Sequence, residues 1–280
     1  MTKAKTETQK IASYIDKRGL SKSELVKIVN SLENKVPKPK TTLKSYLGKH
    51  EKIGVFSDSH IGAKEFDEQM FQQMGQTFRD EGIKKVYCVG DVLEGMSGRP
   101  GHIYELSQIG FSKQIKYAEK LFKDNLSEFE IFGINGNHDD WYMMKNNGGM
   151  DVGEELEARL DNYHHLGSME ADIEIAKGIK MRMFHPNDGT AYAISYKMQK
   201  KIESMDEDDK PDILLQGHYH KLEYLHLRGV HGVDCGTLCG QTKWMKGKKI
   251  AAHKGYLTLE MDFGKDGIGK FAPTFYTDHN

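Results

Sequence analysis

The sequence predicts an α/β fold, and three observations carry that prediction. Between residues 52 and 134, short apolar runs alternate with helical patterns in the β-α-β-α-β order of a largely parallel sheet. Several apolar runs, there and further along, stop abruptly at Asp, Asn, His and Gly. From Leu222 onward the chain roughly alternates apolar and polar residues, as antiparallel strands of a second sheet do.

Ahead of this body, residues 1–50 read as a basic helical appendage, leaving 51–280 as the main domain. Ile11, Tyr14, Ile15 and Arg18 recur at helical spacing, with Gly19 placed to end the helix. Ser21 to Glu24 make a capping-box pattern before Leu25, Val26, Ile28, Val29 and Leu32. Pro37 and Pro39 break the pattern, and Thr41 to Leu47 reads as a third short helix. Short helices around a glycine turn suit either a helix-turn-helix reader of DNA or a small docking bundle. The net charge of −1 conceals an asymmetry: residues 1–50 hold 12 Lys/Arg against 4 Asp/Glu, and residues 51–280 hold 28 against 37. A basic arm on an acidic body points to DNA or another acidic partner; a solvated helical surface is the plainer reading.

In the body, Ile53–Phe56 is a strand ending at Asp58-Ser59-His60, followed by a helix over Met70 to Phe78. Val86–Val89 is a strand ending at Gly90-Asp91, and a Gly-rich loop over 95–111 leads into a helix over Gln114 to Phe122. Ile131, Phe132 and Ile134 form a strand ending at Gly136-Asn137-His138-Asp139. Val152 to Leu160 looks helical, Asp172–Ala176 and Ile179–Phe184 pair around Lys177-Gly178, and His185 closes the second of them. A helix over Thr190 to Glu203 precedes Ile213–Leu215, a strand that ends at Gly217-His218-Tyr219-His220.

With 38% hydrophobic and 29% charged residues, the composition is that of a soluble globular protein. No apolar run approaches bilayer length and no cleavable leader is visible, so a cytoplasmic protein without a membrane partner is expected. Cys88, Cys235 and Cys239 lack paired spacing, so neither a disulfide framework nor a zinc knuckle is indicated. Self-association into a homo-oligomer stays open.

One strand end of this kind means a turn more often than a site. Five of them offer Asp, Asn and His side chains in numbers that suit two divalent cations sharing a carboxylate. Mixed imidazole and oxygen donors favour Mn, Fe, Zn or Co over Mg and Ca. Two such ions clamp the attacking and leaving oxygens in phosphoryl transfer.

The ordered motifs D-x-H, G-D, G-N-H-D, H and G-H-x-H, spread over roughly residues 52–262, resemble those of the calcineurin-like metallophosphoesterase superfamily. That resemblance implies a two-sheet β-sandwich flanked by helices, with metals at the strand ends. It implies that Asp58, His60, Asp91 and His220 hold one ion, most readily Mn2+, and that Asp91, Asn137, His185 and His218 hold the second. It implies that His138 protonates the leaving group and that Asp139 orients His138 and keeps it charged, since a neighbouring carboxylate favours imidazolium. Arg99 and His102, in the loop after Asp91, are candidates for a phosphate contact or for a purely structural role. Trp141 is placed to stack on a base or to pack, and Tyr219 to shape the substrate side. His164, His165, His226, His231 and His253 read as ordinary surface or core residues.

The stretches SDSHIGAKEF, GDVLEGMSGRPGHIYEL and GNHDDW also resemble the phosphoesterase region of the D-family DNA polymerase small subunit and of phage-encoded nuclease-like relatives. Together with the basic arm they make a DNA nuclease the leading expectation. A phosphatase or cyclic-nucleotide phosphodiesterase, and a non-catalytic DNA-binding or assembly subunit, are the alternatives.

Overall fold

A computed structural model of the chain describes residues 42–46, 48–143, 149–265 and 267–278, and structural statements below concern those residues. The helices expected over residues 7–33 lie outside them. Residues 40–280 form one compact unit built from two six-stranded sheets with helices on their outer sides.

The strands are β1 (Thr42–Lys44), β2 (His50–Phe56), β3 (Lys85–Val89), β4 (Glu130–Asn135), β5 (Tyr163–Ser168), β6 (Glu170–Ala176), β7 (Ile179–Phe184), β8 (Ile213–Gln216), β9 (Leu222–Leu227), β10 (Val230–Cys235), β11 (Gly255–Gly264) and β12 (Gly267–Thr277). One sheet runs β12-β11-β2-β3-β4-β5, with β2 to β5 parallel and β11 antiparallel to β2. The other runs β1-β6-β7-β8-β10-β9, with β7, β8 and β10 parallel. The helices are α1 (Glu68–Asp80), α2 (Phe111–Leu126), α3 (Asn137–Asp140), α4 (Val152–Arg159), α5 (Tyr196–Glu203) and α6 (Lys243–Lys248).

Two-residue alternation explains how the apolar runs are used. Val55, Tyr87, Val89, Phe132 and Ile134 point between the sheets and meet Ile173, Met181, Met183, Ile213 and Leu215. Phe56, Val86, Cys88 and Ile131 point the other way, under Met70, Phe71, Met74 and Phe78 of α1 and Ile115, Leu121 and Phe122 of α2. On the far side, Met198 and Ile202 of α5 cover Leu214 and Val230. Strands buried on both faces read as continuous apolar runs, which is why β2, β3 and β4 stand out in the sequence.

Three expectations need correction. Within the helix expected over Thr41–Leu47, the described residues are not helical: Thr42–Lys44 is a strand paired in parallel with β6, Leu43 reaching the inter-sheet core and Lys44 reaching Glu174. A boundary at residue 50 would therefore strip β1 from its sheet, whereas the compact unit begins at residue 40. The helix expected over Thr190–Glu203 is confined to Tyr196–Glu203, and residues 190–195 ahead of it form irregular chain, a bend and a turn. The tail strands also divide: β9 and β10 extend one sheet, while β11 and β12 extend the other. All three cysteines are buried and unbridged, and no described helix is long and apolar enough to cross a membrane.

Candidate active site

The C-terminal ends of β2, β3, β4, β7 and β8 converge, bringing together all seven side chains expected to bind metal. Asp58, His60 and His220 form one cluster of donor atoms and Asp91, His185 and His218 another. Asp91 sits between them, its Oδ2 3.2 Å from His185 Nε2 and 3.8 Å from His60 Nε2. Asp58 Oδ1 is 3.2 Å from His220 Nε2 and 3.7 Å from His60 Nε2. Asn137 lines the same cavity of about 360 Å3 as His60, Asp91 and His138.

Backbone conformation makes this convergence. Asp58, His60, Asp91, His218 and His220 all have positive φ, between 50° and 77°. A left-handed residue at a strand end turns the chain sharply and throws its side chain over the sheet edge. Glycines provide the clearance: a Cβ at Gly136 would collide with Asp91, and one at Gly217 with Ser57.

Hydrogen bonds fix which nitrogen each imidazole offers. His185 Nδ1 donates to Val89 O at 2.6 Å, and His218 Nε2 donates to Asp188 O at 2.7 Å. A carbonyl only accepts, so the opposite nitrogen of each ring keeps a lone pair for a cation. His60 Nε2 and His220 Nε2 face one another at 3.0 Å, the separation of two donors on one ion with metal–nitrogen bonds of about 2.1 Å at a right angle. Asn137 Oδ1 and His185 Nε2 are buried without a hydrogen-bond partner among the described residues. These donors fit divalent cations.

The electrostatics agree. Burial opposes ionisation of Asp58, but His185 and His220 hold its carboxyl well below the usual range. Burial likewise opposes ionisation of Asp91, which His185 and His138 pull down. His218 is lowered to about 4, first by burial and then by His185, and burial lowers His220, so both favour the neutral form. His185 goes the other way, to about 9: burial lowers it, but Asp91 and Asp58 outweigh burial. The carboxylates thus demand positive charge at their centre.

His138 sits beside the clusters, its ring 4.5 Å from that of His60 and 3.8 Å from that of Trp141, tilted by 30°. Its Nδ1 donates to Glu94 O at 2.8 Å, turning Nε2 outward. Asp139 does not touch it. The Asp139 carboxylate accepts from the backbone N–H groups of Val92, Leu93 and Gly136 at 2.9–3.1 Å. Consecutive residues of a helical turn point about 100° apart, so Asp139 ties β3 to β4 rather than backing His138. Burial, with Asp91 nearby, pushes its carboxyl up to about 7.

The carboxylate that does back the site is Glu94, a residue that sequence reasoning missed. It is 4% exposed, with Oε2 2.8 Å from His60 Nδ1 and 3.6 Å from His138 Nδ1, and Oε1 2.8 Å from His102 Nε2. Its place three residues beyond Asp91, in Asp91-Val92-Leu93-Glu94, was the available signal. His102 spends both nitrogens inside the protein, on Glu94 and on the N–H of Ser97, so it supports Glu94 in this arrangement. Arg99 lines the cavity, bonded to Glu105 at 2.8 Å. Tyr219 also lines it, its hydroxyl on Asp188.

Residues 52–261 match the calcineurin-like phosphoesterase superfamily domain, and the chain belongs to that superfamily. Among curated proteins it is similar to the DNA polymerase II small subunit of Methanothermobacter thermautotrophicus, 22% identical over 237 residues covering 69% of this chain and 48% of that one. The same-named protein of Halobacterium salinarum is 23% identical over 248 residues, covering 76% and 48%. The chain therefore spans about half the length of these relatives. Among solved structures, a novel archaeal phosphodiesterase aligns with 81% of this chain and 100% of its own at 15% identity and a TM-score of 0.47.

Proposed function

We propose that this chain is a dinuclear-metal-dependent phosphoesterase that hydrolyses phosphodiester bonds, with DNA as its substrate and Mn2+ as the favoured ion. What supports the reading is one observation: seven donor side chains from five strand ends meet around two buried carboxylates, with His138 at their edge. In this reading Asp58, His60, Asp91 and His220 hold one cation, and Asp91, Asn137, His185 and His218 the other. Bound there, the cations would supply Lewis acidity and an activated water. His138, held through Nδ1, presents Nε2 to the leaving oxygen and donates its proton. Glu94 positions His60 and His138 from behind. The basic residues 1–39 are the proposed DNA contact outside the site.

The test incubates purified protein with Mn2+ and single- or double-stranded DNA, beside bis-p-nitrophenyl phosphate and p-nitrophenyl phosphate. Cleavage of DNA and of the diester, lost with a chelator, is expected. Turnover of the monoester alone would replace this reading with a phosphatase. A second reading is favoured by the similar proteins being small subunits of DNA polymerase II: a subunit that works within a larger assembly. Metal binding without turnover of any of these substrates is its signature.

A further inference from the structure

One wall of the cavity comes from a segment that the metal chemistry does not use. Trp244 and Met245 of α6, with Ile250 just beyond it, line the cavity. Met245 is buried, but the indole of Trp244 is 43% exposed. The Arg99 guanidinium lies 5.7 Å over that indole and is held there by Glu105. Flat faces thus stand at the edge of a space that also contains the candidate metal ligands.

The outer side of the same segment carries Lys243, Lys246, Lys248 and Lys249, all exposed. Among the described residues none of these four pairs with a carboxylate. Residues 243–250 hold four lysines and no acidic residue, within a body where acidic residues outnumber basic ones by 37 to 28. Lys249 even occupies the left-handed position after the helix, at φ 57°, where glycine is the usual choice. Neither packing nor ion pairing accounts for this basic island beside the cavity.

We infer that α6 is the track by which a single nucleic-acid strand enters the site: the lysines follow its phosphates, and Trp244 with Arg99 takes an unpaired base beside the scissile phosphate. A strand fits because only unpaired bases offer both faces for stacking on aromatic and guanidinium planes. A cavity of about 360 Å3 accommodates a nucleotide and not stacked base pairs. The inference rests on the phosphodiesterase reading for its chemistry but is measured as binding.

The experiment uses full-length protein carrying His138→Ala, so that the strand stays intact, and follows a fluorescein-labelled oligothymidylate by anisotropy at several salt concentrations. Two further sets of changes are added at positions 243, 246, 248 and 249: all four Lys→Glu, or all four Lys→Gln. The Lys→Glu set should bind at least about 10-fold more weakly and shorten the salt slope by about 3, since each of the four lost single-strand phosphate contacts removes about 0.7. The Lys→Gln set should fall between. Trp244→Ala should weaken binding to oligothymidylate about 10-fold yet leave an abasic strand unaffected. With His138 intact, the lysine variants should hydrolyse bis-p-nitrophenyl phosphate within about twofold of wild type, as expected for phosphate contacts remote from the reacting atoms. Unchanged affinity and salt slope in both lysine sets would overturn the track, as would loss of small-diester turnover in step with strand binding. Equal losses on abasic and thymidylate strands would overturn the base contact. A wild type that hydrolyses neither substrate defeats only the catalytic reading, because anisotropy still reports on the track.

Discussion

Glu94→Gln tests whether the site is held from behind as the geometry implies. The side chain keeps its shape and loses its charge. Glu94 lies 2.8 Å from both His60 Nδ1 and His102 Nε2, and His102 Nε2 must be a donor, since its Nδ1 accepts from Ser97 N–H. A glutamine has one acceptor oxygen, so it can serve one ring and must present its amide N–H2 to the other. One charge-assisted contact is lost, about 1.5–3 kcal/mol, and each 1.4 kcal/mol is about tenfold in affinity. The expected weakening of Mn2+ binding is therefore about 10–100-fold, the range seen when a partner behind a ligating imidazole is removed. Calorimetric titration with Mn2+ measures it, and turnover of bis-p-nitrophenyl phosphate at saturating Mn2+ separates the two roles. If Glu94 acts only through His60, excess metal restores kcat; a deficit that survives saturation reports on His138. Mn2+ affinity and kcat both within twofold of wild type would refute the assignment.

Three other outcomes follow from the same geometry. His138→Ala should lower kcat on the diester by about 10²–10⁴ while metal content by elemental analysis stays near wild type; loss of metal would instead make His138 a ligand. Asp234→Asn should stabilise the protein at neutral pH. Burial raises the Asp234 carboxyl well above its usual range, so stability falls as pH rises from the unfolded chain's value of about 4 towards the higher folded one. The amide keeps the Gln216 Nε2 hydrogen bond and carries no such pH-dependent cost, so melting should rise by about 2–4 °C at pH 7 and not at pH 3. Removing residues 1–39, a cut that spares β1, should weaken DNA binding more than hydrolysis of the small diester, and equal effects would remove the arm from the DNA path.

Much of the fold was legible because its central strands are buried on both faces. β2, β3, β4 and β8 announce themselves as apolar runs, and the ligand-bearing residues follow them directly. Elements with mixed faces were harder. β5 reads Tyr163-His164-His165-Leu166-Gly167-Ser168 and is half-buried along most of its length, so no pattern marks it. β1 owes its strand to pairing with β6, a contact 130 residues away that local propensity cannot express. At the site, the ligand types were visible while their supports were not. Asp139 follows His138 in sequence but faces Val92, Leu93 and Gly136, and Glu94 reaches the imidazoles across a turn. Which carboxylate backs which ring is a three-dimensional fact.

The backbone supplies the argument that ties the fold to the chemistry. Eight non-glycine residues among those described have positive φ, and five of them are Asp58, His60, Asp91, His218 and His220. A non-glycine residue held in that region costs about 1–2 kcal/mol, somewhat less for Asp and His, which visit it more readily. Five such positions consume several kcal/mol, a large part of the 5–15 kcal/mol that a domain commonly has. The same tips bury Asp58 and Asp91 at 0% and 1% exposure and crowd imidazole nitrogens to 3.0 Å. Packing alone would favour glycine turns and apolar tips here. Strain, buried charge and crowded donors coincide at the tips of β2, β3 and β8, where a multiply charged cation would compensate all three, and a chain that concentrates its broken local rules at those tips has its site built into the fold.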